Sequence, residues 1–534
     1  MGSKERSGKE NIKGGEDMYP GNLSRWIAWW ARVQPEREAV VFEGRRLSYG
    51  RLDERINRLA RGLREAFKVE KGDRVACLLR NCTQYYEIFF ACARIGARFV
   101  PVNIRLTARE TDYILGNAEA RVLFTERHFD PVLAGLEVVK AGVECVRLDE
   151  GEYEEFLARR KADAIDDQAE FSDDLAILYT SGTTGQPKGA VLRQLSVLAI
   201  SHNMMAVFGH NRQDRFMLQL PLCFTGALIP LSMPIFHAGG TIFLEREFDP
   251  GRSLELIEKE RITVSCGVPT LWTRVSDEPA FRETDFSSVR LLMCGAAPVP
   301  PSLVDTYREK GVPFTSGYGL TEAGGFNLFV PPDRVGTDRA GYLPLLWNDV
   351  RYAKEDGSPA GPGEIGEILI RGPVVMRGYW KRPAETAETI RDGWLHTGDL
   401  ARVEEDGSCH IVDRAKDMIV TGGLNVYPAE VEHVLCAHPK VLQVAVVGVP
   451  HRIWGEMVLA VVVPRPGETL EAQELAAYCR RSLADYKVPK SFVWADSLPM
   501  TTSGKVQKRV LRERLAASAA ATGQGEESAR EAAR

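Results

Sequence analysis

The chain contains no Cys-x-x-Cys pair. Its ten cysteines, Cys77, Cys82, Cys92, Cys145, Cys223, Cys266, Cys294, Cys409, Cys436 and Cys479, are scattered along it. That spacing suggests neither a zinc site nor a disulfide framework, and reduced thiols in a cytoplasm fit it best. A strong excess of one charge is also missing: 68 Lys and Arg face 73 Asp and Glu, a net charge of −5. This argues against a nucleic-acid surface. No internal repeat is evident. Residues 1–17 are charged and Gly-rich without an apolar centre, so they read as a loose tail and not as a secretory signal. Uninterrupted apolar runs are scarce as well. The stretch from Phe216 to Leu244 has no formally charged residue and is long enough to span a bilayer. Pro221, Pro230 and Pro234 with Gly226, Gly239 and Gly240 break it into shorter pieces. A buried strand–loop–helix is expected there, with no membrane span, and it supplies the kind of apolar wall a ligand pocket needs.

What is present fits a soluble globular chain of more than one domain, with 534 residues, 44% apolar and 26% charged. Trp26, Trp29 and Trp30 fall at helical spacing and are expected to share a packed face. Leu52, Ile56, Leu59 and Leu63 recur at the same interval, and residues 74–79 read as a buried strand. Helical patterns then alternate with short apolar strands at 122–125, 175–179, 264–267 and 289–293. This alternation predicts layered α/β architecture with largely parallel sheets. After about residue 361 the texture becomes Gly-rich and hairpin-like. Beyond Lys416 a shorter unit follows, with an apolar strand at 441–449 and a helical pattern at 470–483. The expected division is a tail at 1–17, a large domain at 18–415, a small domain at 416–515, and a disordered or frayed tail at 516–534.

The densest cluster of polar and small residues is 178–190, Leu-Tyr-Thr-Ser-Gly-Thr-Thr-Gly-Gln-Pro-Lys-Gly-Ala, directly after an apolar run. Gly182 and Gly185 allow a turn with N–H groups exposed. Thr180, Ser181, Thr183 and Thr184 add hydroxyl donors, and Lys188 adds positive charge. Such a loop suits polyphosphate. It is not a Walker A loop, because Pro187 and Gly189 flank Lys188 where that motif needs Gly before the lysine and Ser or Thr after it. The plainer reading, a turn between secondary elements, is what a shorter match would mean.

The block is similar to the phosphate loop of the adenylate-forming superfamily: acyl-CoA synthetases, peptide-synthetase adenylation domains and luciferases. The family's other signatures follow in its order: Gly295-Ala296-Ala297-Pro298, Gly317-Tyr318-Gly319-Leu320-Thr321-Glu322, Gly366-Glu367, Gly393-Trp394-Leu395-His396-Thr397-Gly398-Asp399, Asp413-Arg414-Ala415-Lys416-Asp417, Gly422-Gly423-Leu424-Asn425-Val426-Tyr427-Pro428-Ala429-Glu430 and Ser503-Gly504-Lys505. The resemblance spans roughly residues 20–512. It implies a large domain of layered αβ sheets with a β-barrel-like subdomain, hinged to a small α+β C-terminal domain. It also implies ATP, Mg2+ and coenzyme A as reactants, with a small-molecule carboxylic acid as the fourth partner.

The resemblance further implies roles for individual residues. Glu322 would bind the metal, Thr321 would donate to the α-phosphate, Tyr318 would lie along the adenine, and Gly319 would belong to the nucleotide site. Gly295, Ala296 and Ala297 would permit close approach of nucleotide and acyl group. Asp399 and Arg414 would hold the ribose. Lys505 would bridge the acid and the α-phosphate in the adenylation step. Lys416 stands where the family hinges, and Gly422 and Gly423 would border the pantetheine tunnel. An apolar acyl pocket is expected around Met204, Phe208, Phe224, Gly226, Ala227, Gly317 and Gly324, with Gly324 and Gly325 leaving space for a ring or a chain. One departure stands out: Cys223 and Phe224 occupy the places where many relatives have an aromatic and then His. Phe224 cannot hydrogen-bond a carboxylate, so that histidine's role does not carry over. His237 reads as a helix-terminal or packed residue, not a substitute. Asp496-Ser497-Leu498 resembles a carrier-protein attachment tripeptide but reads as a strand-end turn.

The expected activity is an AMP-forming carboxylic acid–CoA ligase acting on a fatty or aryl acid. The alternatives are a stand-alone enzyme loading a carrier protein, a luciferase-like oxidase, and a non-catalytic nucleotide binder. A homodimer is allowed by this reading.

Overall fold

The computed structural model describes residues 21–149, 151–165, 169–180, 186–295, 299–337, 340–414, 417–421, 424–451, 454–500 and 505–522, the side chains of Arg414, Asn425 and 516–522 excepted. Contacts group the chain into two units. The first runs to Ala340 and includes Pro344–Asp349 and Arg371–Leu395; the second contains Gly341–Leu343, Val350–Ile370 and everything from His396. The division expected at 413–416 lies inside the second unit.

The first unit is built on two largely parallel sheets. One has strand order Gly378–Tyr379, Lys188–Arg193, Asp174–Thr180, Arg98–Pro101, Arg74–Leu78, Ala120–Thr125 and Glu144–Arg147. Its last five strands are parallel, and the first two pair antiparallel. The other sheet has a parallel centre in which Leu291–Gly295 lies between Val264–Gly267 and Phe314–Tyr318. Beyond Val264–Gly267 come Arg215–Leu218, Thr241–Leu244 and Glu38–Phe42, all parallel. The strand patterns read from the sequence fall on these elements with boundary shifts of a residue or two, as expected where caps and not apolar content set the ends.

Helices cover the sheets with the faces the sequence period requires. In Tyr49–Glu65, Leu52, Ile56, Leu59 and Leu63 are all fully buried, and the Ser48 hydroxyl caps the first turn by accepting from Arg51 N–H. Truncating one of these leucines costs about 2–5 kcal/mol. Thr83–Ile95 is buried on nearly every side and ends at Gly96 in the left-handed conformation, φ +73°. The tryptophan face needs correction. Trp26 is buried in Ser24–Val33, but Trp29 is 48% exposed, lying edge-on to Trp30. A three-residue offset places Trp29 on the solvent side of a helix whose contact stripe is narrower than three indoles.

The uncharged stretch folds as strand Arg215–Leu218, a wide turn Ala227–Ser232, helix Met233–Ala238 and strand Thr241–Leu244. Pro230 interrupts the wide turn, and Ser232 compensates by donating to Ala227 O at 2.7 Å. Among the described residues no helix is long and apolar enough to cross a membrane.

In the second unit residues 399–403 pair antiparallel with Cys409–Arg414, and Asp399 lies opposite Arg414. Downstream, Val441–His451 and Gly455–Pro464 form a long antiparallel pair, with Ile419–Thr421 and Ser491–Trp494 alongside. Val444, Val446, Val458, Ala460 and Val462 pack on one face with Leu435 and Leu475. Ala445, Val447, Leu459, Val461 and Val463 pack on the other with Leu498 and Leu511. Burial on both faces explains why the sequence here is a continuous apolar run instead of an alternation. The expected helix at 470–483 is shorter, Ala472–Cys479, and a helix extends over Lys508–Thr522.

Candidate active site

Parallel strands leave their carboxyl ends open to ligands, because the connecting loops there diverge. Gly295 and Gly317 end adjacent strands side by side, and a Cβ on Gly295 would lie 3.2 Å from Gly317 O. The chain continues from Gly317 through Tyr318 into a short turn, Thr321–Ala323, that carries Glu322. Gly319 closes this turn. A Cβ there would sit 2.4 Å from Gly325 O, so only glycine lets the backbone fold back on itself.

On the other sheet, Asp174–Thr180 runs into the phosphate-loop segment and Lys188–Arg193 runs out. Thr180 and Lys188 are register partners across its mouth. Ser181, Gly182, Thr183, Thr184 and Gly185 lie outside the described residues, as do Ala296 and Ala297. The loop mouth meets the Glu322 turn directly: the Thr180 hydroxyl makes a long contact of 3.5 Å to Glu322 Oε1. The Thr321 hydroxyl is 3.0 Å from that of Thr225, which links this turn to the segment carrying Phe224 and Gly226. Thr180, Lys188, Thr321, Glu322 and the acyl-segment residues are therefore brought together within one unit.

Several residues of this site carry no motif signal. The Tyr379 hydroxyl donates to Glu322 Oε1 at 2.9 Å, and its ring lies under the Lys188 ammonium, 5.4 Å from the centroid. Burial, followed by the neighbouring Glu322 carboxylate, raises the Tyr379 hydroxyl above its ordinary pKa, so it stays a donor. Arg382 reaches Gln186 Oε1 at 3.2 Å and Tyr113 OH at 3.3 Å, bracing the exit of the loop. Only hydrophobic-pattern anomalies, an aromatic Gly-Tyr-Trp run after Met376 and Arg377, mark this segment in the sequence.

The expected acyl residues divide. Phe224 is half-buried, and a Cβ added at Gly226 would meet nothing within 4 Å. Met204 and Phe208 are buried, the latter edge-on to Phe326. Gly324 does not leave the space expected of it, and Gly317, expected at the acyl pocket, is crowded as well. Cβ atoms at Gly317 and Gly324 would fall 2.0 Å from the Phe326 ring and 1.9 Å from Ile200 Cδ1, and Gly324 has φ +77°. Gly325, φ +99°, faces Thr225 and Pro230 at 3.3 and 3.4 Å. Gly324 and Gly325 serve a tight turn and Gly317 a strand end, and at Gly317 and Gly324 the volume a Cβ would take is already filled. Cys223 is buried, which pushes its thiol up to about 11 and leaves no thiolate at neutral pH. His237 is packed, as expected. It stacks on Trp26 at 4.2 Å, its Nδ1 lies 2.9 Å from the Ser201 hydroxyl, and burial pushes its pKa down to about 4.

In the second unit Asp399 is 5% exposed, and its N–H donates to Thr397 Oγ1 at 3.1 Å. The Gly366-Glu367 signature acts as a brace for this turn. Glu367 accepts from Gly398 N–H at 2.9 Å and pairs with His396 Nδ1 at 2.8 Å, while Thr397 donates to Ile368 O at 2.7 Å. Asp413 anchors the following helix, accepting from Ala429 N–H at 2.9 Å. Lys505 is exposed, next to Val506, which bridges Met500, and to Gln507, whose amide donates to Met500 O at 2.6 Å. Lys416, Gly422, Gly423 and the Arg414 side chain fall outside the described residues.

Mg2+ prefers one or two carboxylates and completes its shell with phosphate oxygens and water. The single carboxylate of Glu322, beside hydroxyls and a phosphate-loop lysine, fits that need. No cluster of three or more His, Cys, Asp or Glu able to form an all-protein cage occurs among the described residues.

Comparison with known proteins identifies the family. The AMP-binding enzyme family model matches residues 27–380, and the AMP-binding enzyme C-terminal domain model matches 430–505. A feruloyl-CoA synthase of an Amycolatopsis species is 43% identical over 93% of this chain and 100% of its own. An indoleacetate–CoA ligase of Aromatoleum aromaticum is 37% identical over 92% of this chain and 98% of its own. The crystal structure of ATP-bound MatB from Rhodopseudomonas palustris superposes with a TM-score of 0.85 at 32% identity, covering 92% of this chain and 99% of that one. The chain belongs to the AMP-binding enzyme family, the adenylate-forming superfamily of acyl-CoA synthetases. Within it, the protein is an AMP-forming acid–thiol ligase that uses ATP, Mg2+ and coenzyme A to convert a carboxylic acid to its thioester through an acyl-adenylate.

Proposed function

We propose that the acid is an aryl acid of the hydroxycinnamate type, and that the residues named above divide the two half-reactions between them. The observation carrying the substrate reading is the end-to-end likeness to a feruloyl-CoA synthase at 43% identity. The open direction at Gly226, next to half-buried Phe224, gives a planar ring room on the pocket wall.

In the first half-reaction the acid's carboxylate oxygen attacks the α-phosphorus of ATP and pyrophosphate leaves. Charge crowds at the α-phosphate, so the protein's contribution is positioning and neutralisation. Lys188 and the hydroxyls of Thr180 to Thr184 hold the departing phosphates with the backbone N–H groups of Gly182 and Gly185. Thr321 donates to the α-phosphate. Lys505 bridges that phosphate and the carboxylate in the transition state, where the negative charge is greatest. Bound Mg2+ would offset phosphate charge, and Glu322 is the residue that would hold it. Tyr318 lies along the adenine beside Gly319; Gly295, Ala296 and Ala297 leave the nucleotide close approach, and Asp399 with Arg414 accepts and supplies ribose contacts. In the second half-reaction the small domain from Lys416 onward swings about that residue, bringing Gly422 and Gly423 to line the pantetheine arm. The thiol sulfur then displaces AMP, its proton passing to solvent, and the thioester departs.

Pyrophosphate release measured with ferulate, 4-coumarate, indole-3-acetate and palmitate tests the substrate reading. Ferulate or 4-coumarate should give the highest kcat/KM; a preference for palmitate would refute it. A CoA thioester among the products distinguishes this enzyme from one that loads only a carrier protein.

A further inference from the structure

A metal-binding carboxylate on a short turn has rotational freedom, and its orientation must come from its neighbours. Glu322 lies on the three-residue turn Thr321–Ala323, where Ala323 N–H to Leu320 O at 3.0 Å and Gly325 N–H to Leu320 O at 2.8 Å hold the main chain but do not orient the Glu322 carboxylate. The restraint comes from Met376–Trp380, a segment fixed on both sides. Met376 N–H donates to Glu322 O at 2.8 Å, Arg377 N–H to Val191 O at 2.8 Å and Trp380 N–H to Gly189 O at 2.7 Å. Tyr379 N–H donates to Thr386 Oγ1 at 2.9 Å, and the Trp380 indole to Asn117 O at 3.1 Å. A phenol mounted on this segment has little room to swing, and its hydroxyl meets Glu322 Oε1 at 2.9 Å.

Accepting Glu322 as the carboxylate that takes Mg2+, we propose that Tyr379 is a positioning residue that fixes the Glu322 carboxylate plane so that its charge faces the cation. The donor's chemistry matters here. A lysine or arginine in this place would cancel the carboxylate's charge and compete with the metal, whereas a neutral hydroxyl orients one oxygen and leaves the negative charge available. The same ring lies beneath Lys188, so the phosphate-loop cation and the metal carboxylate are referred to one rigid group.

Tyr379→Phe removes the donor and keeps the ring, its packing and its contact with Lys188. The test is ATP binding by the full chain without acid, measured by calorimetry across a Mg2+ titration and again in EDTA, with thermal unfolding in parallel. The half-saturating Mg2+ concentration should rise about 10-fold in Tyr379→Phe. Affinity for metal-free ATP and the unfolding temperature should stay as in the parent. Glu322→Gln is the reference variant. If Glu322→Gln leaves the Mg2+ dependence unchanged, the metal reading of Glu322 fails and this proposal with it. If Glu322→Gln shifts the dependence and Tyr379→Phe does not, the positioning role alone is overturned. A Tyr379→Phe protein that loses thermal stability with an unaltered Mg2+ midpoint also overturns it, since the bond is then only a structural tie.

Discussion

Gly324→Ala separates two views of the residues after Glu322, a spacious pocket floor and a crowded turn. The added methyl carbon would sit 1.9 Å from Ile200 Cδ1 and 2.9 Å from Ile200 Cγ1, on a backbone with φ +77°. Holding alanine in the left-handed region costs about 1–2 kcal/mol. Overpacking against a fully buried isoleucine adds about 1–3 kcal/mol, so the variant should lose about 2–5 kcal/mol. Ile200→Val deletes the offending Cδ1 and by itself costs about 0.5–1.5 kcal/mol. Combined with Gly324→Ala it should recover most of the steric part while the backbone strain remains, giving a favourable coupling energy of about 1–2 kcal/mol. Urea unfolding of the parent, the two single variants and the double variant, followed by tryptophan fluorescence, measures the cycle. The KM for the acid is measured on the same four proteins. Additive stabilities would refute the crowding argument. A stable Gly324→Ala whose only defect is a raised KM for the acid would restore the pocket reading.

Replacing Lys505 with alanine should slow acid-dependent ATP–pyrophosphate exchange by about 100-fold or more while ATP affinity changes little, because the ammonium acts on transition-state charge. Thioester formation from supplied acyl-adenylate should be nearly unchanged, and equal loss in both half-reactions would refute the assignment. Gly226→Val should fill the open direction on the acyl side and lower kcat/KM for an aryl acid about 10-fold, with a smaller effect on acetate; a uniform loss across acids would place Gly226 outside the pocket. For His237, burial holds the folded-state pKa near 4, below the value of about 6.5 in an unfolded chain. The unfolded state therefore binds the extra proton first. The stabilisation is full above about pH 6.5 and is lost as pH falls towards 4, about 2 kcal/mol of it between pH 7 and pH 5. Urea midpoints at those two pH values should converge in His237→Gln; an unchanged pH dependence would show that other groups dominate.

The sequence by itself determined what depends on neighbours along the chain. Apolar period set the helix Tyr49–Glu65 and the doubly buried strand Val441–His451, since a run of a dozen residues already fixes which faces must leave water. The candidate phosphate loop, the Glu322 turn and the Lys505 segment stand out in the sequence for the same reason: their residue types are concentrated in short stretches whose order is itself a signal. Only the tertiary structure decided which of these stretches meet. Tyr379 reaches Glu322 across 57 residues and Thr225 reaches Thr321 across 96, and no local pattern encodes such pairings, because they follow from how two sheets place their loops. It also decided direction. A glycine in a sequence says that a side chain is missing, but only packing says whether the space is open, as at Gly226, or already occupied, as at Gly324 by Ile200. The same distinction put Trp29 in solvent and gave Glu367 the task of bracing the Asp399 turn.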